Sequence, residues 1–168
     1  MIWYVGGVRI GVVSDTHNHL ANVARIVEIF NDADVARVVH TGDITQPKTL
    51  HSLANLEVPL VGVYGNNDVD REALDATCAT LDLHFVEPPL DLRLAGRRIL
   101  VTHDVLLLAD DALLAVDVLL HGHDHRYANE HSADTLRFNP GECAGHLPGR
   151  NAVGILDLET LCCERIFF

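Results

Sequence analysis

Polar and apolar positions in the first half of the chain alternate between two rhythms. Three short apolar runs, Arg9 to Ser14, Val35 to Thr41 and Val58 to Tyr64, end in polar residues, as buried strands do. Between them, Leu20 to Phe30 carries Leu20, Val23, Ala24 and Val27 at helical spacing. Gln46 to Leu56 reads as a helix with Pro47 near its first position, where a missing N–H costs little. Arg71 to Leu81 reads as a third helix with Asp70 as its N-cap.

The second half changes character. Leu90, Leu92 and Leu94 alternate with polar residues, Ala95-Gly96 makes a turn, and Arg97 to Thr102 returns as a strand. A short helix is expected around Ala109 to Ala115, then strands at Asp117–Leu120, near Tyr127–His131 and Thr135–Phe138, at Ala152–Asp157, and at Cys162–Phe167. Strand-helix alternation early and strands late predict an α/β (α+β) class, a two-layered sheet core flanked by helices.

Composition narrows this further. The 168 residues suit one domain, 1–168, and 48% hydrophobic content is enough for a sizeable core. No apolar run is long enough to cross a bilayer, and Met1-Ile-Trp-Tyr-Val lacks the basic start of a signal peptide, so a cytoplasmic protein is expected. The 24 acidic against 12 basic residues give a net charge of -12, and Lys48 is the only lysine. Such a surface repels nucleic-acid phosphates and argues against duplex binding. It also reads as a halophilic-type surface, where salt screens dense like charge. Cys78, Cys143, Cys162 and Cys163 form no C-x-x-C pair, so reduced thiols and no zinc cage are expected.

The chemistry sits where the expected strands end. Five clusters stand there: Asp15-Thr16-His17, Gly42-Asp43, Gly65-Asn66-Asn67-Asp68, Thr102-His103 and Gly122-His123-Asp124-His125. In open α/β sheets the ligand site lies beyond the carboxyl ends of the strands, so clusters far apart in sequence can converge. Imidazole with carboxylate suits Mn²⁺, Fe, Zn²⁺, Ni²⁺ or Co²⁺. Seven such side chains exceed one ion's need; they suit two ions about 3.5–4 Å apart that share a carboxylate and clamp a phosphoryl group. Singly each cluster is an ordinary turn or cap, and the order of all five carries the signal.

D-x-H, G-D, G-N-x-D, a lone His and G-H-x-H, in that order, resemble the calcineurin-like metallophosphoesterases. More narrowly the chain looks like the small YfcE-type phosphodiesterases, archaeal type, through Ile10-Gly-Val-Val-Ser-Asp-Thr-His, His40-Thr-Gly-Asp, Val63-Tyr-Gly-Asn-Asn-Asp and Asn139-Pro-Gly-Glu-Cys with the later Gly154-Ile-Leu-Asp. The likeness runs from about Arg9 to the C-terminus. It implies a four-layer αββα sandwich of two mixed sheets flanked by helices. It implies that Asp15, His17, Asp43 and His125 hold a first metal ion, that Asp43 bridges, and that Asn66, His103 and His123 complete the second. Asn66, His103 and Asp43 would be the catalytic residues, and a hydroxide between two divalent ions, Mn²⁺ foremost, would attack phosphorus in line. The implied activity is hydrolysis of small phosphodiesters. The alternatives are a phosphomonoesterase or nucleotide pyrophosphohydrolase on the same site, and a non-catalytic metal-binding interaction module. Homo-oligomerisation stays open.

Three positions depart from the family pattern. Asn67 stands where larger relatives carry a His that can act as general acid, and an amide cannot donate a proton that way. Asp104-Val105 follow His103 where Gly-His is usual, and Asp124 replaces Thr between His123 and His125. Candidate substrate contacts are Asn67, His19 and Arg126. His40 and His121 read as buried or supporting histidines, Asp68 as a loop brace, Asn139-Pro-Gly as a structural turn, and Arg97-Arg98 as a solvated turn. Arg150 could meet substrate phosphate, although a solvated arginine is the default reading. Residues 1–7 are an extension with no assigned role.

Overall fold

The computed structural model describes residues 7–109, 111–132 and 134–168. Of the expected N-terminal extension, residues 1–6 lie outside this set. The elements in chain order are β1 (Arg9–Val13), α1 (Leu20–Asp32), β2 (Arg37–His40), α2 (Pro47–Leu53), β3 (Leu60–Val63), α3 (Arg71–Leu81), β4 (His84–Val86), β5 (Leu90–Leu94), β6 (Arg97–Val101), β7 (Val118–Leu120), β8 (Ala128–Ser132), β9 (Thr135–Asn139), β10 (Ala152–Asp157) and β11 (Cys163–Phe167). A 3₁₀ turn, Val105–Leu107, follows β6.

The strands form two mixed sheets. One has the order β11-β10-β1-β2-β3-β4 and the other β5-β6-β7-β9-β8. β1, β2 and β3 run parallel, as do β6, β7 and β9, whereas β10 pairs antiparallel with β1. Because β1, β2 and β3 are parallel, their carboxyl ends leave the sheet on one side, and the loops after β6 and β7 meet them there. This is the two-sheet sandwich that the sequence led us to expect.

Side-chain alternation explains the layers. Ile10 and Val12 of β1, with Val39, Val61 and Val63, face the second sheet and pack on Ile99, Val101, Val118, Leu120, Leu136 and Phe138. Val13 turns the other way, into the layer of α1, α2 and α3 with Ile26, Phe30, Leu50 and Leu74. Gly11 also faces the helices, and a Cβ there would stand 2.6 Å from the Phe30 ring.

Helix ends follow local chemistry. The Asp70 carboxylate caps α3 by accepting the Ala73 N–H at 3.2 Å, and Pro47 opens α2. The short helix expected at Ala109–Ala115 is absent among the described residues of that span, which are turns; the neighbouring helical element is the 3₁₀ turn. Four leucines in this region, Leu106, Leu107, Leu113 and Leu114, are exposed. Without an apolar face to bury, a segment this short does not hold a helix. Strand β4 went unread because His84-Phe-Val is too short for its period to register. It is held as a parallel edge strand beside β3. Cys78 and Cys143 are buried, and all four cysteines are free thiols.

Candidate metal centre

The five clusters converge. Asp15 and His17 follow β1, Asp43 follows β2, Asn66 follows β3, His103 follows β6, and His123 and His125 follow β7. Backbone bonds stitch these loops together: Asp15 N–H donates to Gly42 O at 3.1 Å, His17 N–H to Asp43 O at 3.0 Å, and Gly122 N–H to His103 O at 3.1 Å. The His123 N–H donates to Asp15 Oδ2 at 3.2 Å, which ties the second sheet to the first.

The centre is built around two buried carboxylates. Asp43 Oδ2 lies 3.2 Å from His17 Nε2 and 3.4 Å from His103 Nε2, so one oxygen faces two imidazoles from different sheets. Asp15 Oδ1 lies 3.4 Å from His125 Nε2 and 3.8 Å from His17 Nε2. Asn66 Oδ1 stands 3.0 Å from both His103 Nε2 and His123 Nδ1. Among the described residues three groups of donor atoms are close enough to share an ion: Asp15-His17-His125, Asp15-Asp43-His103 and, behind the His125 ring, His125-Glu142-His146. Asp15 Oδ1 and His17 Nε2 are buried and make no hydrogen bond among the described residues. A buried carboxylate oxygen without a partner is costly, and a cation removes that cost. Hard oxygens with imidazole nitrogens are a donor set for a divalent transition ion, so these residues fit the metal that the family implies.

The backbone is bent to make this arrangement. Asp15, His17, Asp43, His123 and His125 all adopt left-handed conformations, with φ of 52°, 41°, 61°, 73° and 56°. Each such non-glycine residue costs about 1–3 kcal/mol, and strain of this kind collects at functional sites. Glycines make the space. A Cβ on Gly65 would press into the Asp43 carboxylate and stand 2.6 Å from its backbone nitrogen. A Cβ on Gly122 would press into Ser14 Oγ and stand 2.7 Å from Asp15 Oδ2.

A supporting layer orients these side chains. Asp68 Oδ2 accepts the N–H groups of Asp43 at 3.0 Å and Gly65 at 2.7 Å, and Oδ1 accepts that of Thr45 at 2.5 Å, so Asp68 braces the Asp43 loop. His103 Nδ1 lies 2.9 Å from Thr41 O; since a carbonyl only accepts, Nδ1 carries a proton, and Nε2 is the nitrogen turned toward Asp43 and Asn66. His40 Nδ1 accepts the Gly42 N–H at 3.1 Å, which leaves Nε2 to donate to Thr16 Oγ1 at 3.1 Å. His121 is buried and turned away, with Nε2 accepting from Arg137 Nε at 3.0 Å.

Electrostatics follow from burial and these contacts. Burial pushes the Asp43 carboxyl up, but His103, His17 and Asn67 outweigh it and hold Asp43 far below the usual range. Burial likewise raises Asp15, and its interactions with His125 and Ser14 outweigh that, leaving it lowered. Burial lowers His103, yet the Asp43 carboxylate beside it raises it overall. The Asp15 carboxylate raises His125 against the effect of burial. Burial carries His40 down to about 4.

Two of the three expected substrate contacts, Asn67 and His19, are bonded within the protein. Asn67 donates its backbone N–H to Asp43 Oδ1 at 2.9 Å and its side-chain Nδ2 to Asp43 Oδ2 at 2.8 Å. His19 caps α1, its Nδ1 accepting the Asn22 N–H at 3.3 Å. Arg126 is exposed and lines a separate cavity beside His125. Asp124 turns outward, where Oδ1 accepts from Asn139 Nδ2 at 2.9 Å.

Sequence reasoning missed three residues. Glu142 is buried, with Oε2 3.2 Å from His125 Nδ1 and 3.6 Å from His146 Nδ1. The signal was Asn139-Pro-Gly-Glu itself: a carboxylate straight after a turn that leads back to the site. Asp104 Oδ2 lies 3.6 Å from His123 Nε2. His146 had no local signal; its ring stacks on His125 at 5.3 Å only through the fold.

Strand-end loops that gather Asp, His and Asn between two mixed sheets define a metallohydrolase of the two-sheet sandwich class. The sequence profile described as the calcineurin-like phosphoesterase superfamily domain matches residues 8–161. The chain belongs to that superfamily and is a hydrolase of it. It is 35% identical over 156 residues to phosphodiesterase MJ0936 of Methanocaldococcus jannaschii, covering 90% of this chain and 93% of that one. A solved structure described as a novel archaeal phosphodiesterase superposes with a TM-score of 0.84 at 32% identity, covering 95% of this chain and 99% of the other. YfcE, a phosphoesterase from E. coli, shares the fold with a TM-score of 0.71 at 22% identity, covering 94% of this chain and 98% of the other.

Proposed function

We propose that the chain is a metal-dependent phosphodiesterase acting on small phosphodiesters, with two divalent ions, Mn²⁺ foremost, held by Asp15, His17, Asp43, Asn66, His103, His123 and His125. The observation that carries this is Asp43 Oδ2, which faces His17 Nε2 at 3.2 Å and His103 Nε2 at 3.4 Å. One carboxylate oxygen between two imidazoles is what a shared ligand needs. The names of the archaeal relatives point the same way. Ions bound there supply Lewis acidity toward a phosphoryl oxygen and acidify a water.

The chain's own residues do the rest. Asp43 and Asp15 bring negative charge to a buried position, and the bond to Thr41 O fixes His103 in the tautomer that points Nε2 inward. Asn67 is bonded to Asp43 and supplies no acid, so diesters with good leaving groups are the favoured substrates. We read residues 1–168 as one domain, located in the cytoplasm. No helix among the described residues is long and apolar enough to cross a membrane. The net charge of -12 supports activity that persists or rises in molar salt.

The test is to strip the protein of metal, restore Mn²⁺ across a salt series, and follow hydrolysis of bis(p-nitrophenyl) phosphate in wild type and Asp43→Asn. Metal-dependent turnover that the substitution removes is expected. A folded wild-type protein that turns over nothing with Mn²⁺, Ni²⁺, Co²⁺ or Zn²⁺ would instead be a metal-binding interaction module.

A further inference from the structure

Beside His125 lies a cavity of about 320 Å³ that the phosphodiesterase reading does not use. Three of its wall residues are Arg126, Arg150 and Arg165, in a chain with only 12 basic residues and a net charge of -12. Like charges gathered on one wall repel, and an anion held between them relieves that repulsion. Glu142 is the single acidic side chain on that wall, and its carboxylate faces His125 and His146 while also accepting the Leu147 N–H at 3.0 Å. Among the described residues, none of the three arginines has a carboxylate partner, nor do Arg37, Arg93 and Arg137, which lie elsewhere, whereas Arg9, Arg25, Arg71, Arg97 and Arg98 all do.

Arg165 is built into place. Its Nε donates to Pro140 O at 2.8 Å, and its guanidinium carbon lies 4.6 Å from the Tyr127 ring centre and 4.4 Å from that of Phe167. Gly141, with φ of 106°, leaves the room: a Cβ there would stand 2.7 Å from Arg165 Nη2. Burial, and the charge of Arg150, pull Arg165 below its usual value. A fixed guanidinium with free Nη donors is preorganised for a phosphate.

We propose that this cavity binds a second anionic group of the substrate, so that the natural substrate is a phosphodiester carrying a further phosphate on one arm. His125 joins the two regions: its Nε2 faces Asp15, and its ring forms part of the cavity wall. The scissile phosphate at the candidate metal centre and the terminal phosphate on Arg126, Arg150 and Arg165 then belong to one molecule. The inference rests on the phosphodiesterase reading, and the experiment separates the two.

The probes are thymidine 5′-(p-nitrophenyl phosphate) and the same compound bearing a 3′-phosphate, which differ by one anionic group. With Mn²⁺, the wild type should show kcat/KM about 10–100-fold higher for the phosphorylated compound, the scale of one or two charge-assisted bonds. Arg150→Ala, an exposed position, and Arg165→Gln should each move that ratio toward one. Equal kcat/KM values in the wild type, or a ratio that both variants keep, would overturn the proposal. If neither compound is hydrolysed, the phosphodiesterase reading falls. Calorimetry with the products then judges the cavity: thymidine 3′,5′-bisphosphate should bind at least about tenfold tighter than thymidine 5′-phosphate, and less so in Arg150→Ala. Equal affinity would remove the site.

Discussion

Glu142 Oε2 lies 3.2 Å from His125 Nδ1, on the side of the ring opposite the Nε2 that faces Asp15. A carboxylate behind a metal-binding imidazole fixes its tautomer and raises its basicity. Glu142 is buried and its Oε1 is held by the Leu147 N–H, so it cannot swing away without breaking that bond.

Glu142→Gln keeps the shape and removes the charge. It should weaken binding of the ion on the Asp15–His17–His125 side by about 10–100-fold, the range seen when such supporting partners are lost. Calorimetric titration of the metal-stripped protein with Mn²⁺ measures this directly. Wild-type affinity in the variant would show that Glu142 serves the fold alone.

Gly65 and Asp43 are in close contact, and any side chain at position 65 must displace the carboxylate or its backbone nitrogen. Gly65→Ala should therefore cost about 1–3 kcal/mol of stability by overpacking and abolish diester hydrolysis. Thermal melts and the chromogenic assay together decide the matter. An active variant with an unchanged melting temperature would mean that the Asp43 loop does not lie against Gly65.

Asn67 holds Asp43 Oδ2 through its Nδ2 at 2.8 Å. Asn67→Ala removes one hydrogen bond to a charged group, worth about 1.5–3 kcal/mol, and kcat/KM should fall about 10–100-fold. Asn67→His supplies a group that can protonate a leaving oxygen. Its turnover of alkyl esters should rise relative to nitrophenyl esters, and an unchanged ratio would show that leaving-group protonation is not limiting.

His40 carries a pH dependence of stability. Burial holds its folded-state pKa at about 4 against an ordinary 6.5. Because the folded value is depressed, the unfolded chain binds the extra proton first as pH falls. Stability from the neutral imidazole is complete above about pH 6.5, erodes between 6.5 and 4, and is flat below. The total is on the order of 3–4 kcal/mol at most, since a tenfold change in proton affinity is worth about 1.4 kcal/mol. Urea denaturation at pH 7 and pH 4.5 in wild type and His40→Asn should show a steeper loss in the wild type. Equal losses would assign the acid sensitivity to the carboxylates.

Apolar period and the order of the polar clusters carry the family and most of the frame. The seven side chains of the candidate centre could be named because each sits at the end of a readable apolar run, and runs of that kind bury as strands. Helix α3 was legible to the residue because Asp70 caps it and its apolar side repeats at helical spacing. Period and motif do not carry contacts between distant loops. Glu142 reaches His125 across 17 residues, and Asp68 braces Asp43 across 25, through loops whose meeting depends on sheet order. The three arginines of the basic cavity come from the loop after β7, the loop before β10, and β11, so no local window contains them. Among the described residues, 111–115 are turns and no helix, because propensity alone does not hold so short a segment without a surface to cover. Local pattern records which faces are buried, whereas the partner of each buried polar atom is chosen only when distant strands align.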